Sequence, residues 1–371
     1  MSLSSPCGYN ISNLSANAGR SQPLAWSFHQ AVDAFPRFRN HWDQLNRSQH
    51  RHLLLDACLV EALLRFYGTE RTLLGVENEA SPQAMLVVDR SRAGFWTTFV
   101  PSQAPLAPVL LNKSADPFAQ CRRIMAALPG YAVAFSVTNQ DPSFSPFEGT
   151  EASGTVERVD YIRTARLTIA GSFTEYWKSL SKNLTHNLSR QQRRLAEQGV
   201  QLKLVEYRRP DDMSPCVARY GSLESTGWKA QGSTAISPDN TQGAFYSYLL
   251  EQFCRRGEGV VYELQANGQV IASDLCLERD GTLIVLKTTY DETLKGLSPG
   301  LLLHLKMFDS LFAQKRIGVV EFYGRVLDWH TKWTRDIRQM YHLNIYRHAW
   351  VAHGRRLVKS VFAARQGNSS S

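Results

Sequence analysis

Apolar and polar positions follow two different periods along this chain, and the order of those periods predicts most of its elements. In the C-terminal half, Val260 to Ala266 reads as a strand and Asn267-Gly268 as a two-residue hairpin turn, because both residues tolerate positive φ. Gln269 to Glu278 reads as the returning strand. A second turn at Arg279-Asp280-Gly281 leads into Thr282 to Tyr290, so the three segments form an antiparallel meander. The period then changes, with Leu301, Leu305, Phe308 and Phe312 on one face of a helix over residues 301–316. Gly318 to Tyr323 follows as a short strand, expected to run parallel to its predecessor because a crossover helix separates them. A helix from Asp328 to Tyr341 and a strand from Leu343 to Trp350 close this half.

The first half states the same order more loosely. Strands are expected near Thr72 to Val76, Ala84 to Val88 and Gly94 to Phe99, then a helix near Pro117 to Leu128 and a strand at Tyr131 to Ser136. Between the halves, Ser172-Phe-Thr-Glu175 has the spacing of a capping box, in which the serine oxygen and the glutamate carboxylate satisfy backbone N–H groups at a helix start. One long helix is predicted from there to Gly199, with Phe173, Tyr176, Leu180, Leu184, Leu188 and Leu195 as its apolar line and Lys182, Arg190, Arg193 and Arg194 crowding its later part. Ser214-Pro215 predicts another helix start, and Phe245, Leu249 and Phe253 mark a helix ending at Gly257.

With 371 residues and 43% apolar content, the chain is long enough for two substantial cores. No stretch approaches 18 uncharged apolar residues, and Met1 to Pro23 lacks the apolar core and cleavage site of a signal peptide, so a cytoplasmic location is expected. The six cysteines have neither C-x-x-C pairing nor histidines at metal spacing, which argues against a zinc site or a disulfide framework. No metal is expected. A formal net charge of +9 favours an anionic partner, whether nucleotide cofactor, nucleic acid or membrane surface.

Tyr290-Asp-Glu-Thr-Leu-Lys-Gly-Leu-Ser-Pro-Gly-Leu-Leu-Leu303 is the most informative stretch, because it joins a strand to an amphipathic helix. Ser298 suits the N-cap, Pro299 the first helical turn, and Gly300 a close approach of ligand to backbone. Unpaired N–H groups at Gly300, Leu301 and Leu302, with the positive end of the helix dipole, predict a site for a pyrophosphate. Lys287 and Lys295 add charge nearby. The alternative is that Ser-Pro-Gly is no more than a well-formed helix start.

Four local patterns carry a resemblance to a known family. They are Ser172-Phe-Thr-Glu-Tyr-Trp-Lys-Ser-Leu-Ser181 leading into Arg190-Gln-Gln-Arg-Arg-Leu195; Glu224-Ser-Thr-Gly-Trp-Lys-Ala-Gln-Gly-Ser-Thr-Ala-Ile236; Tyr290-Asp291 to Ser298-Pro-Gly300; and Glu321-Phe-Tyr-Gly-Arg325 ending at Lys332-Trp333. Together they resemble the GNAT superfamily of acyltransferases, in particular the CelD-like subgroup of cellulose and exopolysaccharide clusters, related to the Fem-type peptidyltransferases. The chain departs from that pattern at Val326-Leu-Asp-Trp-His330, where the family has an acidic residue followed by Tyr-Lys, and at Thr185-His186, where an arginine is missing.

The resemblance implies an α+β fold of two GNAT-like domains, each a mixed, mostly antiparallel sheet flanked by helices. Their expected bounds are 25–165 for a degenerate first domain and 166–362 for the acyltransferase domain, with disordered tails at 1–24 and 363–371. It implies acyl-CoA, acetyl-CoA in the simplest case, as co-substrate and an amine or hydroxyl on a small molecule or glycan as acceptor. A peripheral association with a polysaccharide-synthesis complex at the membrane is a further expectation.

Acyl transfer needs a base, an oxyanion donor and an acid for the departing thiolate. Asp274 interrupts an apolar strand, so it either faces a cavity as a catalytic group or lies on a solvated face. Glu224 matches the family pattern as base or acceptor ligand, against a plain helix-end carboxylate. Tyr290 at its strand end is the candidate acid, against a buried tyrosine bonded to backbone. Trp228, Lys229, Arg325 and Trp333 are the candidate acceptor contacts, the tryptophans equally readable as packing. His304 and His330 read as structural or solvated. The Arg190 to Arg194 cluster either meets an anion or is a solvated helix face; with no aromatic residues interleaved, no dedicated nucleic-acid domain is expected. Two rival readings remain: a Fem-like transferase drawing its donor from tRNA, and a non-catalytic GNAT-fold scaffold.

Overall fold

The two predicted hairpins form where left-handed residues permit them. Asn267 (φ 48°) and Gly268 (φ 86°) turn β9 (Gly259–Ala266) into β10 (Gln269–Arg279), and Asp280 (φ 49°) and Gly281 (φ 77°) turn β10 into β11 (Thr282–Tyr290). In this computed structural model, which describes residues 25–49, 51–149, 154–225, 236–237 and 239–355, that meander belongs to a larger assembly. Thirteen strands among the described residues form one continuous sheet.

The N-terminal part contributes β1 (Trp26–Gln30), β2 (Thr72–Glu77), β3 (Ala84–Arg92), β4 (Phe95–Thr98), the short β5 (Val109–Leu110) and β6 (Ala134–Gln140). Its helices are α1 (Ala31–Gln49), α2 (Ala57–Tyr67) and α3 (Pro117–Ala127). After β7 (Val156–Thr168) come α4 (Phe173–Ser179), α5 (Lys182–Glu197), β8 (Leu202–Tyr207), α6 (Pro210–Ser225) and α7 (Thr241–Cys254). Beyond the meander lie α8 (Pro299–Gln314), β12 (Val319–Phe322), α9 (Asp328–Trp333) and β13 (Asp336–Tyr346).

Strand order across the sheet is β1-β2-β3-β4-β6-β13-β7-β12-β11-β10-β9-β8, with β5 beside β3. It reads as one motif written twice about a twofold between β13 and β7. In each half a meander ends in a parallel pair joined by a crossover helix: β4 and β6 through α3, β11 and β12 through α8. The last strands are exchanged. β7 leaves the first half to pair antiparallel with β12, and β13 returns from the second half to pair antiparallel with β6. The two then pair with each other from Asp336↔Arg166 to Ile345↔Val156.

Packing follows the exchange. One face of the sheet carries a single core in which α1 and α2 (Phe35, Trp42, Leu59, Leu63) join α6 and α7 (Tyr220, Phe245, Leu249, Phe253) over strands of both halves. The other face carries two cores, one under α4, α5, α8 and α9 and one under α3. The five described cysteines are buried and unpaired. No helix among the described residues is long and apolar enough to cross a membrane.

Three helix expectations need correction. The helix predicted from Ser172 to Gly199 is two: the Ser172/Glu175 capping box forms as expected, but Leu180 and Ser181 are extended, and the Ser181 side chain accepts from Leu184 N–H to start α5 afresh. The second serine cap competes with helix continuation and wins. α6 begins at Pro210, not at Ser214, and carries Pro215 inside it. The helix predicted over 328–341 stops at Trp333, because residues from Asp336 onward are taken up by β13, whose partners are remote in sequence.

Buried charge ties the halves together. Arg338 on β13 donates to both oxygens of Asp141 (3.1 and 2.8 Å) and pairs with Glu321 on β12 at 2.8 Å. Tyr323 donates to Asp141 (2.9 Å), and His52 Nε2 lies 2.8 Å from the Tyr323 hydroxyl. Leu54 N–H donates to His52 Nδ1, which leaves Nε2 to carry the ring proton. Asp56, the N-cap of α2, is also buried; against that burial, Arg256 and Arg279 of the second half hold its carboxyl below the usual range. Replacing Arg338 by Leu strands two buried carboxylates and is expected to cost about 3–5 kcal/mol. Urea unfolding checks this, and should show one transition for the whole chain; two separable transitions in the wild type would contradict a shared sheet and core.

Candidate functional site

The parallel pair β11/β12 is short. Pairing runs from Thr282↔Val319 to Val285↔Phe322 and stops there because β12 ends at Phe322, although β11 continues to Tyr290. β11 also carries a bulge: Leu275 pairs with Lys287 while the adjacent Cys276 pairs with Val285, so Leu286 is an extra residue. A bulge increases local twist and bends its strand, and this one falls where the pairing with β12 ends. Leu286 packs against the shared core, and Lys287 Nζ lies 5.8 Å from the centre of the Tyr246 ring. The opening beside β11 therefore presents a strand edge that β12 does not cover.

The segment after β11 is tightly built. Asp291 is buried and accepts from Thr293 N–H (2.9 Å) and from its hydroxyl (2.6 Å), which starts a 3-10 turn over Glu292–Leu297. Ser298 then adopts the left-handed region (φ 51°, ψ 56°), and its side chain makes no capping bond. Its carbonyl instead accepts from Leu301 N–H (3.0 Å) and Leu302 N–H (3.1 Å). This corrects the expectation of three free amides: the Ser298 backbone engages Leu301 and Leu302, Pro299 has no N–H, and Gly300 alone of the three remains. A methyl group at Gly300 would sit 3.4 Å from the Tyr290 ring, so that ring covers the helix start. The open part of the loop is one turn earlier. Lys295 and Gly296 are exposed, nothing lies within 4 Å of a methyl built at Gly296, and Gln191 of α5 reaches over to donate to its carbonyl (3.2 Å).

Asp274 neither lines a cavity nor meets solvent. It is 0% exposed on the α8 face of β10, with His304 Nε2 at 3.0 Å from one carboxylate oxygen; the other oxygen and His304 Nδ1 are buried without partners. His304 stacks against Trp329 (4.8 Å between ring centres) and Phe308 (5.7 Å). Glu224 is also buried, in the last turn of α6, where it accepts from Ile236 N–H (2.9 Å) and from the Tyr220 hydroxyl (3.3 Å). Neither carboxylate is open to an acceptor in this structure. Their polarity is directed inward: each was legible as an acid, but its burial depends on helices remote in sequence.

Tyr290, 38% exposed, stands at the end of β11 and is not a buried tyrosine. Arg325 is exposed just beyond β12. Trp333 takes the packing reading, 2% exposed and edge-on to Phe308 at 5.1 Å. Trp228 and Lys229 lie outside the described residues. Sequence reasoning missed Gln191, His52, Tyr323, Asp141 and Arg338. Nothing in local spacing marks them, although Tyr323 sits inside the Glu321 to Arg325 pattern. Among the described residues no group of three or more His, Cys, Asp or Glu side chains could hold a metal ion.

The first half enters its crossover helix differently. Its crossover helix α3 is capped by Asp116, whose carboxylate accepts from Phe118 and Ala119 N–H (3.2 and 2.9 Å) and would repel an anion there. A cavity of about 400 Å³ opens beside that helix start, between Gln49, Lys113, Asn139 and Phe144.

Comparison with known proteins agrees with this geometry. Residues 182–331, which include β11 and β12, match the acetyltransferase (GNAT) domain family. No curated protein matches the sequence. Among solved structures, a conserved protein of unknown function from Bacteroides thetaiotaomicron is similar over 86% of this chain and 99% of its own (TM-score 0.53, 9% identity). FemX is similar over 83% of this chain and 96% of its own (TM-score 0.53, 8% identity). The C-terminal domain of a putative lysylphosphatidylglycerol synthetase from Agrobacterium fabrum is similar over 85% and 93% (TM-score 0.50, 13% identity). The fold is therefore the GNAT fold, α+β with a mixed, mostly antiparallel sheet flanked by helices.

His330, where the family pattern expects a charged residue, shows what the departure does. Its Nδ1 accepts from Leu327 N–H (3.0 Å) at the start of α9, its ring stacks on Trp329, and burial pushes its pKa down to about 4, with nearby His304 acting in the same direction. Between that value and the ordinary 6.5, the unfolded chain binds more protons than the folded one. Stability from this group is therefore complete above pH 6.5 and lost as pH falls to about 4, by roughly 3 kcal/mol in total. Thermal melts at pH 7, 6 and 5 check it: His330→Asn, which keeps an acceptor for Leu327 N–H but does not titrate, should melt with a shallower pH dependence than the wild type.

Proposed function

We propose that this chain is an acyl-CoA-dependent acyltransferase that moves an acyl group, acetyl in the simplest case, to an amine or hydroxyl of a small-molecule or glycan acceptor. The observation that carries this reading is the edge of β11 left uncovered beyond Val285, where β12 ends and the Leu286 bulge begins, followed at once by the Asp291–Ser298 loop, within the residues that match the acetyltransferase family. An acyl thioester supplies an activated acyl group, so the protein's own task is to hold the donor extended and bring the acceptor to it.

The residues present fit such a donor. The edge of β11 beyond Val285 offers backbone groups that β12 does not use, suited to an extended pantetheine-like chain and to a developing oxyanion. Lys295, Gly296 and the Gly300 amide offer charge and close backbone approach for phosphates, in place of the three helix amides expected from the sequence. Tyr290 is the group we assign to protonate the departing thiolate, because it is half-exposed at the strand end beside Gly300. Glu224 and Asp274 receive no part in the chemistry: one anchors residue 236 and the other holds His304. A cytoplasmic location and a surface-polysaccharide acceptor remain part of the proposal; they rest on the sequence resemblance.

Gly296→Glu sets a carboxylate in open space at the loop and leaves the fold undisturbed. Calorimetry with acetyl-CoA is expected to show binding by the wild type and a loss of about tenfold or more in the variant, at an unchanged melting temperature. A wild type that binds no acyl-CoA defeats the reading.

A further inference from the structure

α5 is not needed to build β11 and β12, yet it is fastened to the loop that follows β11. Its buried line, Leu184, Leu188 and Leu195, seats it on the same core as α8, and the Gln191–Gly296 bond fixes its edge against the 3-10 turn. At about 100° per residue, Asn187, Arg194 and Arg190 follow Gln191 around the helix on one flank, away from the buried line. Both arginines are exposed, and among the described residues neither has a carboxylate partner; Arg190 makes a long contact with Asn187 (3.4 Å). Across Gly296 stands exposed Lys295. The acid nearest in the loop, Asp291, is turned inward onto Thr293, while Glu292 and Glu197 are the remaining acids close in sequence.

A second observation lies at the same place. Gln191 gives its amide N–H to Gly296, while its Oε1 is buried and has no hydrogen-bond partner among the described residues. Buried acceptors are rarely left unmatched. The residue itself is only half-buried, and a small turn of its side chain would offer that oxygen to a donor such as a ribose hydroxyl or an exocyclic amine.

We propose that this flank of α5, with Arg190, Arg194 and Gln191 facing Lys295 across Gly296, seats the 3′-phosphate and adenosine of the CoA donor. The proposal rests on the acyl-CoA reading and deepens it. It assigns the basic cluster of α5 to donor recognition and makes the enzyme select free CoA thioesters over carriers that present only a phosphopantetheine arm. Arginine forks suit a terminal phosphate, and their exposure before binding keeps them from being committed to internal ion pairs.

Calorimetry on the full chain with CoA and with 3′-dephospho-CoA tests it, comparing the wild type with Arg190→Ala/Arg194→Ala. The wild type is expected to prefer CoA by about tenfold. The double variant should bind both ligands alike, at the wild type's affinity for dephospho-CoA, with an unchanged melting temperature. Equal binding of the two by the wild type, or a preference that survives in the variant, overturns the seat and leaves the donor reading standing. Binding of neither ligand by the wild type overturns both, and salt-sensitive tRNA binding that depends on the same arginines would then assign the flank to a nucleic acid.

Discussion

The exchange of β7 and β13 is the constraint on which the rest of this structure depends. Neither half can complete its sheet alone, because the strand beside β12 comes from the first half and the strand beside β6 from the second. β12 has only four residues, paired over its whole length by β11 on one side and by the borrowed β7 on the other. β11 runs on past its bulge at Leu286 to Tyr290, and the opening used for the proposed donor lies along that overhang. Arg338, on the borrowed β13, places its charge between Asp141 and Glu321 and makes the same junction electrostatically complete.

Symmetry of architecture has not been kept as symmetry of chemistry. Both crossover helices join the strands of a parallel pair, yet their first turns are opposite in character. α3 offers an aspartate cap that consumes the amides an anion would need, whereas α8 is entered through a left-handed serine and preceded by an exposed lysine and glycine. One half can attract a phosphate and the other repels it. The cavity beside α3 is lined by neutral and apolar side chains together with Lys113 and Asp141, one charge of each sign.

Much of this was legible in the sequence because it is local. The Asn267-Gly268 and Asp280-Gly281 turns, the capping box at Ser172 and the amphipathic stripe of α8 each depend on residues within a few positions, and each formed as read. β7 and β13 were not read as strands over their observed lengths, since their partners lie as far apart as Arg166 and Asp336 and local pattern carries no trace of pairing at that distance. The burial of Asp274 and Glu224 was not legible for a related reason: an acid in an apolar strand or at a helix end looks available until a distant helix covers it. Ser298 is subtler. Its sequence context suits a side-chain cap, but a positive φ turned the carbonyl, and not the hydroxyl, toward the helix amides.

The altered motif after β12 changes the electrostatics of the site and not merely its spelling. Where the family carries an acidic residue followed by Tyr-Lys, this chain sets Trp329 between His304 and His330 in a stack over Phe322, with His330 held neutral by burial. Asp274 is enclosed behind the same stack through His304. The α8 side of the opening is thereby made of stacked rings, while Lys295 and Arg325, and the two arginines of α5, are exposed cations. For the proposed acyl-CoA donor, a charge distributed in that way would hold the anionic end at the periphery and leave the reacting end of the thioester among rings, where the backbone amides of β11 would act more strongly than in water.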